Sequence, residues 1–82
     1  MTVTVVCFGA LRDYLPRGAA GNTGMIEMGA GARVRDLIDA LGAPRGLVHA
    51  LLLDGVSATD EDVLTDGAEV TLMPPFTGGA RG

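Results

Sequence analysis

The sequence predicts an α+β domain in which a mixed sheet of four to five strands holds one main helix packed across it. Three observations predict this. Residues 2–8 and Glu69–Met73 are β-branched, apolar stretches near opposite ends of the chain, and each carries apolar groups on both faces. Residues 33–41 hold the clearest helical period, with Val34, Leu37, Ile38 and Leu41 at i, i+3, i+4 and i+7. The other apolar runs are short and bounded by Gly, Pro or Asp-Gly, which suits strands and hairpins. A single amphipathic helix needs a single sheet to cover its stripe.

Residues 2–8 place Val3, Val5 and Cys7 on one face and Thr4, Val6 and Phe8 on the other, the pattern of a central strand. Cys7 there reads as a small buried hydrophobe, with a catalytic thiol as the alternative. After Gly9, residues Leu11, Tyr14 and Leu15 recur at one-turn spacing, and Pro16 stops that turn. Residues 17–24 form a hairpin connection. Their glycines precede neither a Lys nor a strong helix start, so they make a poor phosphate cradle. Residues 25–28 are the second strand, antiparallel to the first, with Ile26 and Met28 facing one way and Glu27 the other.

The helix follows at residues 33–41 and stops at Gly42 and Pro44. Its start is weak. Arg33 offers no capping acceptor, and Arg33 and Arg35 lie near the positive end of the dipole, partly offset by Asp36. The two arginines read either as a solvated face or as a partner contact. Residues 47–53 are the third strand, Asp54-Gly55 a hairpin turn and residues 56–58 a short return arm. His49 is the chain's one histidine; without a second ligand type nearby it reads as structural. Thr59 can cap a turn made of Asp60, Glu61 and Asp62. These lack the alternating pattern with a central Gly that a calcium loop needs, so they read as a solvated turn. Asp66-Gly67 turns the chain into its last strand, which can pair with the first.

Composition narrows the function. The 82 residues suit one domain with a small core. A 48% apolar share excludes a disordered chain, and no apolar run approaches the ~18 residues of a membrane span. No secretory signal pattern is recognised. The net charge is −4, and all six basic residues are Arg. That balance disfavours nucleic acid and suits a basic protein surface. One cysteine permits neither an internal disulfide nor a thiolate metal cage, which fits a cytoplasmic protein and leaves no metal site.

The end of the chain reads differently from the rest. Pro74 and Pro75 lack an N–H and end the last strand. Gly78 and Gly79 have no Cβ and can enter a constriction. The expected division is therefore a folded domain over residues 1–76 and a flexible glycine-rich tail over residues 77–82. Phe76 reads either as a plug at the core edge or as an aromatic anchor for a partner, with Pro75 and Thr77 beside it.

These stretches resemble the MoaD/ThiS family of sulfur-carrier proteins. Val5-Val6-Cys7-Phe8-Gly9-Ala10-Leu11-Arg12 is similar to that family's opening strand and first turn, and residues 34–42 to its helix. Leu64-Thr65-Asp66-Gly67-Ala68-Glu69-Val70, followed by residues 73–79, looks like its closing strand and tail. The resemblance covers nearly the whole chain, and its specificity lies in the order Asp-Gly, strand, Pro-Pro, Gly-Gly. It implies a ubiquitin-like β-grasp fold and a protein co-substrate with no bound cofactor. The Gly79 carboxylate would be adenylated with ATP by an E1-like adenylating enzyme. A persulfide sulfur donor would convert it to a thiocarboxylate, which passes sulfur to an acceptor such as the large subunit of molybdopterin synthase, or to a thiazole precursor. An extended chain from Phe76 to Gly79 reaches roughly 10 Å, enough to enter a narrow pocket.

The sequence departs from the family in one respect, because Ala80, Arg81 and Gly82 follow Gly79. Either a metal-dependent protease of the kind used by some relatives removes them, or Gly82 is the activated terminus. The bulk and charge of Arg81 favour removal. Three other roles stay open on the sequence: the small subunit of a molybdopterin synthase, a ubiquitin-like modifier joined to lysines, and an interaction module with an inert tail.

Overall fold

The computed structural model of the chain describes residues 1–75. Two strands from its opposite ends, β1 (Thr2–Cys7) and β5 (Glu69–Met73), lie side by side and parallel. β2 (Thr23–Glu27) flanks β1 antiparallel, β3 (Ala50–Leu53) flanks β5 antiparallel, and the two-residue β4 (Val56–Ser57) lies outside β3. The order is β2-β1-β5-β3-β4, a mixed sheet of five strands. The helix α1 (Val34–Leu41) covers one face of it. This is the expected β-grasp arrangement.

Alternation explains the core. Val5 pairs with Val70 and Cys7 with Leu72, so these rows point to one face. There they meet Val34, Leu37 and Ile38, the helical stripe, together with Leu11, Leu64 and Ala68. The strand β1 is central, as its apolar residues on both faces suggest. Only one of those faces is core: Val3, Val5 and Cys7 are buried, whereas Thr4 and Val6 are half-buried and Phe8 is exposed.

Several elements differ from the sequence reading, each for a local reason. The turn after β1 is a 3₁₀ helix over Gly9–Tyr14 that ends before Pro16. β2 begins two residues early and includes Gly24, which the sequence suggests is loop. A Cβ at Gly24 would stand 2.9 Å from Pro16 and 3.0 Å from Ala19, so a glycine lets the loop fold down onto the strand. The expected strand over residues 47–53 begins only at Ala50. Pro44 starts a 3₁₀ turn over Arg45–Leu47, with Leu47 N–H donating to Pro44 O and Val48 N–H to Arg45 O. A short apolar run looks the same in either state. The Asp54-Gly55 turn has φ of 52° and 82°, the left-handed pair that a two-residue hairpin requires. Asp54 also locks that hairpin to β5: its N–H donates to Glu69 O at 2.8 Å, and its Oδ1 accepts from Glu69 N–H at 2.9 Å.

Cys7 is fully buried, and burial pushes its thiol above the ordinary value. The neutral thiol is thereby favoured, and a catalytic role for it is disfavoured. Because the folded-state pKa is the raised one, this group's stabilisation is full below the ordinary thiol pKa and is lost as pH rises through the raised value. The native thiol should therefore resist a thiol reagent at neutral pH until urea unfolds the chain. The urea midpoint should fall at strongly alkaline pH, and Cys7→Ala should flatten that decline.

Candidate functional site

The candidate site is the place where the chain leaves the sheet. Leu72 O accepts from Phe8 N–H at 3.2 Å, and Met73 O accepts from His49 N–H at 2.8 Å. β5 is thus gripped from both sides up to its last residue. Pro74 and Pro75 follow, with no N–H to extend the ladder. Gly9 shapes the seat for this exit. Its φ is +57°, and a Cβ there would stand 2.9 Å from Pro74 Cγ. A side chain at Gly9 would be strained and would also push the outgoing chain away.

Beside the exit lies the sheet face that α1 leaves uncovered. The registers place Thr4 and Val6 of β1, Thr23 and Met25 of β2, Thr71 and Met73 of β5, and Ala50 and Leu52 of β3 on it. Met25 is 66% exposed and Phe8, next in the alternation, 44%. Glu27 and Glu69 sit at the opposite end of this face, opposite Thr2 and Thr4, and Glu27 accepts from the Thr2 hydroxyl. Met25 lies level with Glu69 across Thr4, and the rows nearer the exit, Val6, Thr23, Thr71 and Leu52 and then Met73 and Ala50, are apolar and hydroxyl-bearing, the composition of a protein-docking patch.

On the covered side, the weak start of α1 is repaired by the acidic turn. Asp36 Oδ2 accepts from Arg33 N–H at 2.8 Å. Val34 N–H donates to Asp62 O and Arg35 N–H to Asp60 O, both at 2.9 Å. Two otherwise orphaned helix donors are satisfied by main-chain carbonyls far away in sequence. Arg33 Nη1 donates to Glu61 O at 2.7 Å, and Arg35 Nη1 to Glu61 Oε2 at 2.8 Å. The arginines read as a solvated face or partner contact are thus bound to this turn. Within the turn, Thr59 N–H donates to Asp62 Oδ2 at 3.0 Å and Glu61 N–H to Thr59 Oγ1 at 3.3 Å. Its acids serve backbone capping and ion pairs. Among the described residues, no group of three or more His, Cys, Asp or Glu side chains is arranged to hold a metal. No described helix is long and apolar enough to cross a membrane.

Pro75 is half-buried and is the last described residue. Phe76, Thr77, Gly78, Gly79 and Gly82 lie outside the described residues, as does the proposed boundary between residues 76 and 77. Sequence reasoning missed the part played by Gly9 and by the main chain of His49. Both act through backbone geometry at contacts distant in sequence, for which a side-chain pattern holds no signal.

The family model described as Mut7-C ubiquitin matches residues 1–78. A search of the curated proteins finds no match. Among solved structures, SAMP1 from Haloferax volcanii is similar at 25% identity and a TM-score of 0.71, covering 96% of this chain and 100% of that one. A protein from Pyrococcus furiosus described as molybdopterin converting factor subunit 1 has 25% identity, a TM-score of 0.68 and coverage of 92% and 98%. A chain in the complex of subunits 1 and 2 of the molybdopterin-converting factor from Helicobacter pylori has 25% identity, a TM-score of 0.61 and coverage of 96% and 100%.

The geometry at Gly9 sets up a direct comparison. Gly9→Ala should destabilise the chain by about 1–3 kcal/mol in urea unfolding, combining a disfavoured φ with a clash against Pro74. Gly46→Ala, with open space and an ordinary φ, should shift stability by no more than about 0.5 kcal/mol.

Proposed function

From the premise that this chain belongs to the Mut7-C ubiquitin family and is a ubiquitin-like protein of the MoaD/ThiS type, we propose that it is a sulfur carrier whose reactive group is the acyl carbon of Gly79. The observation that carries this reading is the anchoring of β5. Main-chain bonds from β1 and from the entry to β3 hold Leu72 and Met73, and two prolines then lead the chain out beside an apolar face. The folded part serves as the docking handle, and the glycine pair follows within four residues of Pro75.

A carboxylate is a poor electrophile, so the reaction begins by giving it a leaving group. In an adenylating partner, the Gly79 carboxylate attacks the α-phosphorus of ATP and releases pyrophosphate. The terminal sulfur of a donor persulfide attacks the acyl-adenylate and expels AMP. A second thiol cleaves the resulting acyl disulfide and leaves a thiocarboxylate with a nucleophilic sulfur. The carrier needs no acid or base of its own in these steps, since the partner's site supplies them. Because Ala80 follows Gly79 in this chain, a peptide-bond cleavage must expose the carboxylate first, and a metal-dependent protease is our candidate for it. Gly78 gives the close backbone approach that a narrow adenylation pocket demands. Pro75, Phe76 and Thr77 precede the glycine pair in sequence, and we assign them to contact with the partner. ATP and a persulfide donor suit the reducing cytoplasm.

The acceptor we favour is of the molybdopterin type, as the large subunit of a molybdopterin synthase would be. The similarity to the Pyrococcus and Helicobacter subunits supports it. The similarity to SAMP1, which is named a small archaeal modifier protein, favours a second reading, in which the same activated glycine is joined to a lysine of another protein. Both readings share the adenylation step and differ in the nucleophile that follows.

The test uses the chain cut after Gly79, incubated with an adenylating enzyme of this family, ATP and a persulfide donor. Intact-mass measurement should show one sulfur-for-oxygen exchange, abolished when the chain ends at Gly78. An unchanged mass would count against the carrier reading, and high-mass adducts stable to reductant would select the modifier reading.

A further inference from the structure

The exit from β5 is a stiff lever. Met73 precedes a proline and is restricted to extended backbone, as is Pro74, which precedes another. Both prolines have φ held near about −65°. Little rotation is therefore left between the last ladder bond, from His49 N–H to Met73 O, and Pro75. Two residues of such chain span roughly 6 Å, so a tilt at Pro74 is carried to whatever follows Pro75.

Gly9 is the surface on which this lever rests. The Cβ that it lacks would stand 2.9 Å from Pro74 Cγ and 3.7 Å from Pro74 Cδ. Gly9 itself has no room to retreat. Phe8 N–H donates to Leu72 O on one side of it, Leu11 N–H donates to Phe8 O across it, and Leu11 is fully buried. Pro74 is half-buried, and its ring is closed onto the backbone, so it cannot swing aside as a longer side chain would. A Cβ at Gly9 would thus turn the proline pair rather than move the corner.

We propose that Gly9 is a positioning residue: acting through the Pro74 ring, it sets the direction in which the tail is offered to the enzyme that acts on it. The role toward that enzyme rests on the carrier reading, whereas the contact that sets the direction does not. A tail already aimed loses less freedom on entering a pocket. When only a fraction of chains is correctly aimed, the apparent affinity falls by that fraction. Misdirection is therefore felt in KM, and a tail once seated reacts at its ordinary rate.

The first experiment reads direction without any enzyme. In the full ¹³C-labelled chain, a nuclear Overhauser contact should join Gly9 Hα to the Pro74 ring. The residual dipolar couplings of the Pro74 and Pro75 Cα–Hα bonds should fit the same alignment as β1 and β5. In Gly9→Ala the proline couplings should depart from that fit while those of the two strands keep it. A missing contact in the wild type, or proline couplings that Gly9→Ala leaves unchanged, would overturn the proposal.

The second experiment follows pyrophosphate release by an adenylating enzyme of this family, using chains cut after Gly79 whose folding is checked by circular dichroism. Gly9→Ala should raise KM about tenfold with kcat unchanged. In a Pro74→Ala background, which removes both ring atoms that the new Cβ would meet, the same substitution should raise KM less than about twofold. The strain of a positive φ is common to both backgrounds, so the ring contact accounts for the difference. An equal rise in both backgrounds, or no rise in either, sinks the assignment. If Gly9→Ala does not fold, Pro74→Ala decides alone: a rise in KM of about threefold is expected, and an unchanged KM refutes the positioning role. Failure of the wild-type cut chain to be adenylated would instead remove the carrier reading, and the dipolar couplings are scored independently of it.

Discussion

Parallel pairing of β1 with β5 is the constraint on which the rest of the structure depends. Two parallel neighbours finish at the same end of a sheet, so the chain leaves β5 where β1 turns into its 3₁₀ helix. Gly9 and Phe8 are therefore available on one side of the exit and His49 on the other. The register has no slack. A slip of one residue would turn Val70 and Leu72 onto the open face and bring Thr71 into the core. The hydrophobic effect that builds the core thus also sets the point and direction from which Pro74 departs.

The same sheet divides its labour between two faces. One face is closed by Val34, Leu37 and Ile38, and that burial provides the main stabilisation. The other is a patchwork of methyl groups and hydroxyls that α1 does not reach. Placing the charged Glu27 and Glu69 at the end away from Met73 keeps the apolar part next to the exit. Charge is organised similarly on the helix side. Arg33, Arg35 and Arg45 are matched to Glu61, Asp60 and Asp39. Exposed pairs of this kind contribute only about 0–1 kcal/mol each, so the structural gain there comes chiefly from the carbonyls of Asp60 and Asp62 that cap the helix.

The described part of the exit is built from main-chain hydrogen bonds and the packing of Gly9 against Pro74. Its contribution is geometric: a strand end that is rigid because its hydrogen bonds are complete, and a pair of prolines that end the ladder. The similarity to a molybdopterin converting factor subunit 1 and to a chain of a subunit 1 and 2 complex extends over nearly their whole length.

Much of this was legible in the residues themselves. The stripe from Val34 to Leu41, the two-sided β1, the Asp54-Gly55 hairpin and β5 were all readable, because periodicity and turn chemistry are local properties. So was the arrest of the last strand at Pro74-Pro75. Local rules gave the wrong start for β3, since Pro44 makes Leu47 and Val48 part of a turn, and they could not show why Gly24 belongs to β2. Tertiary structure alone decided that Glu61 engages Arg33 and Arg35, that the turn at residues 60–62 caps α1, and that Gly9 seats Pro74. Those contacts join residues far apart in sequence, several of them through main-chain groups that every residue carries, so only the folded geometry selects which of them meet.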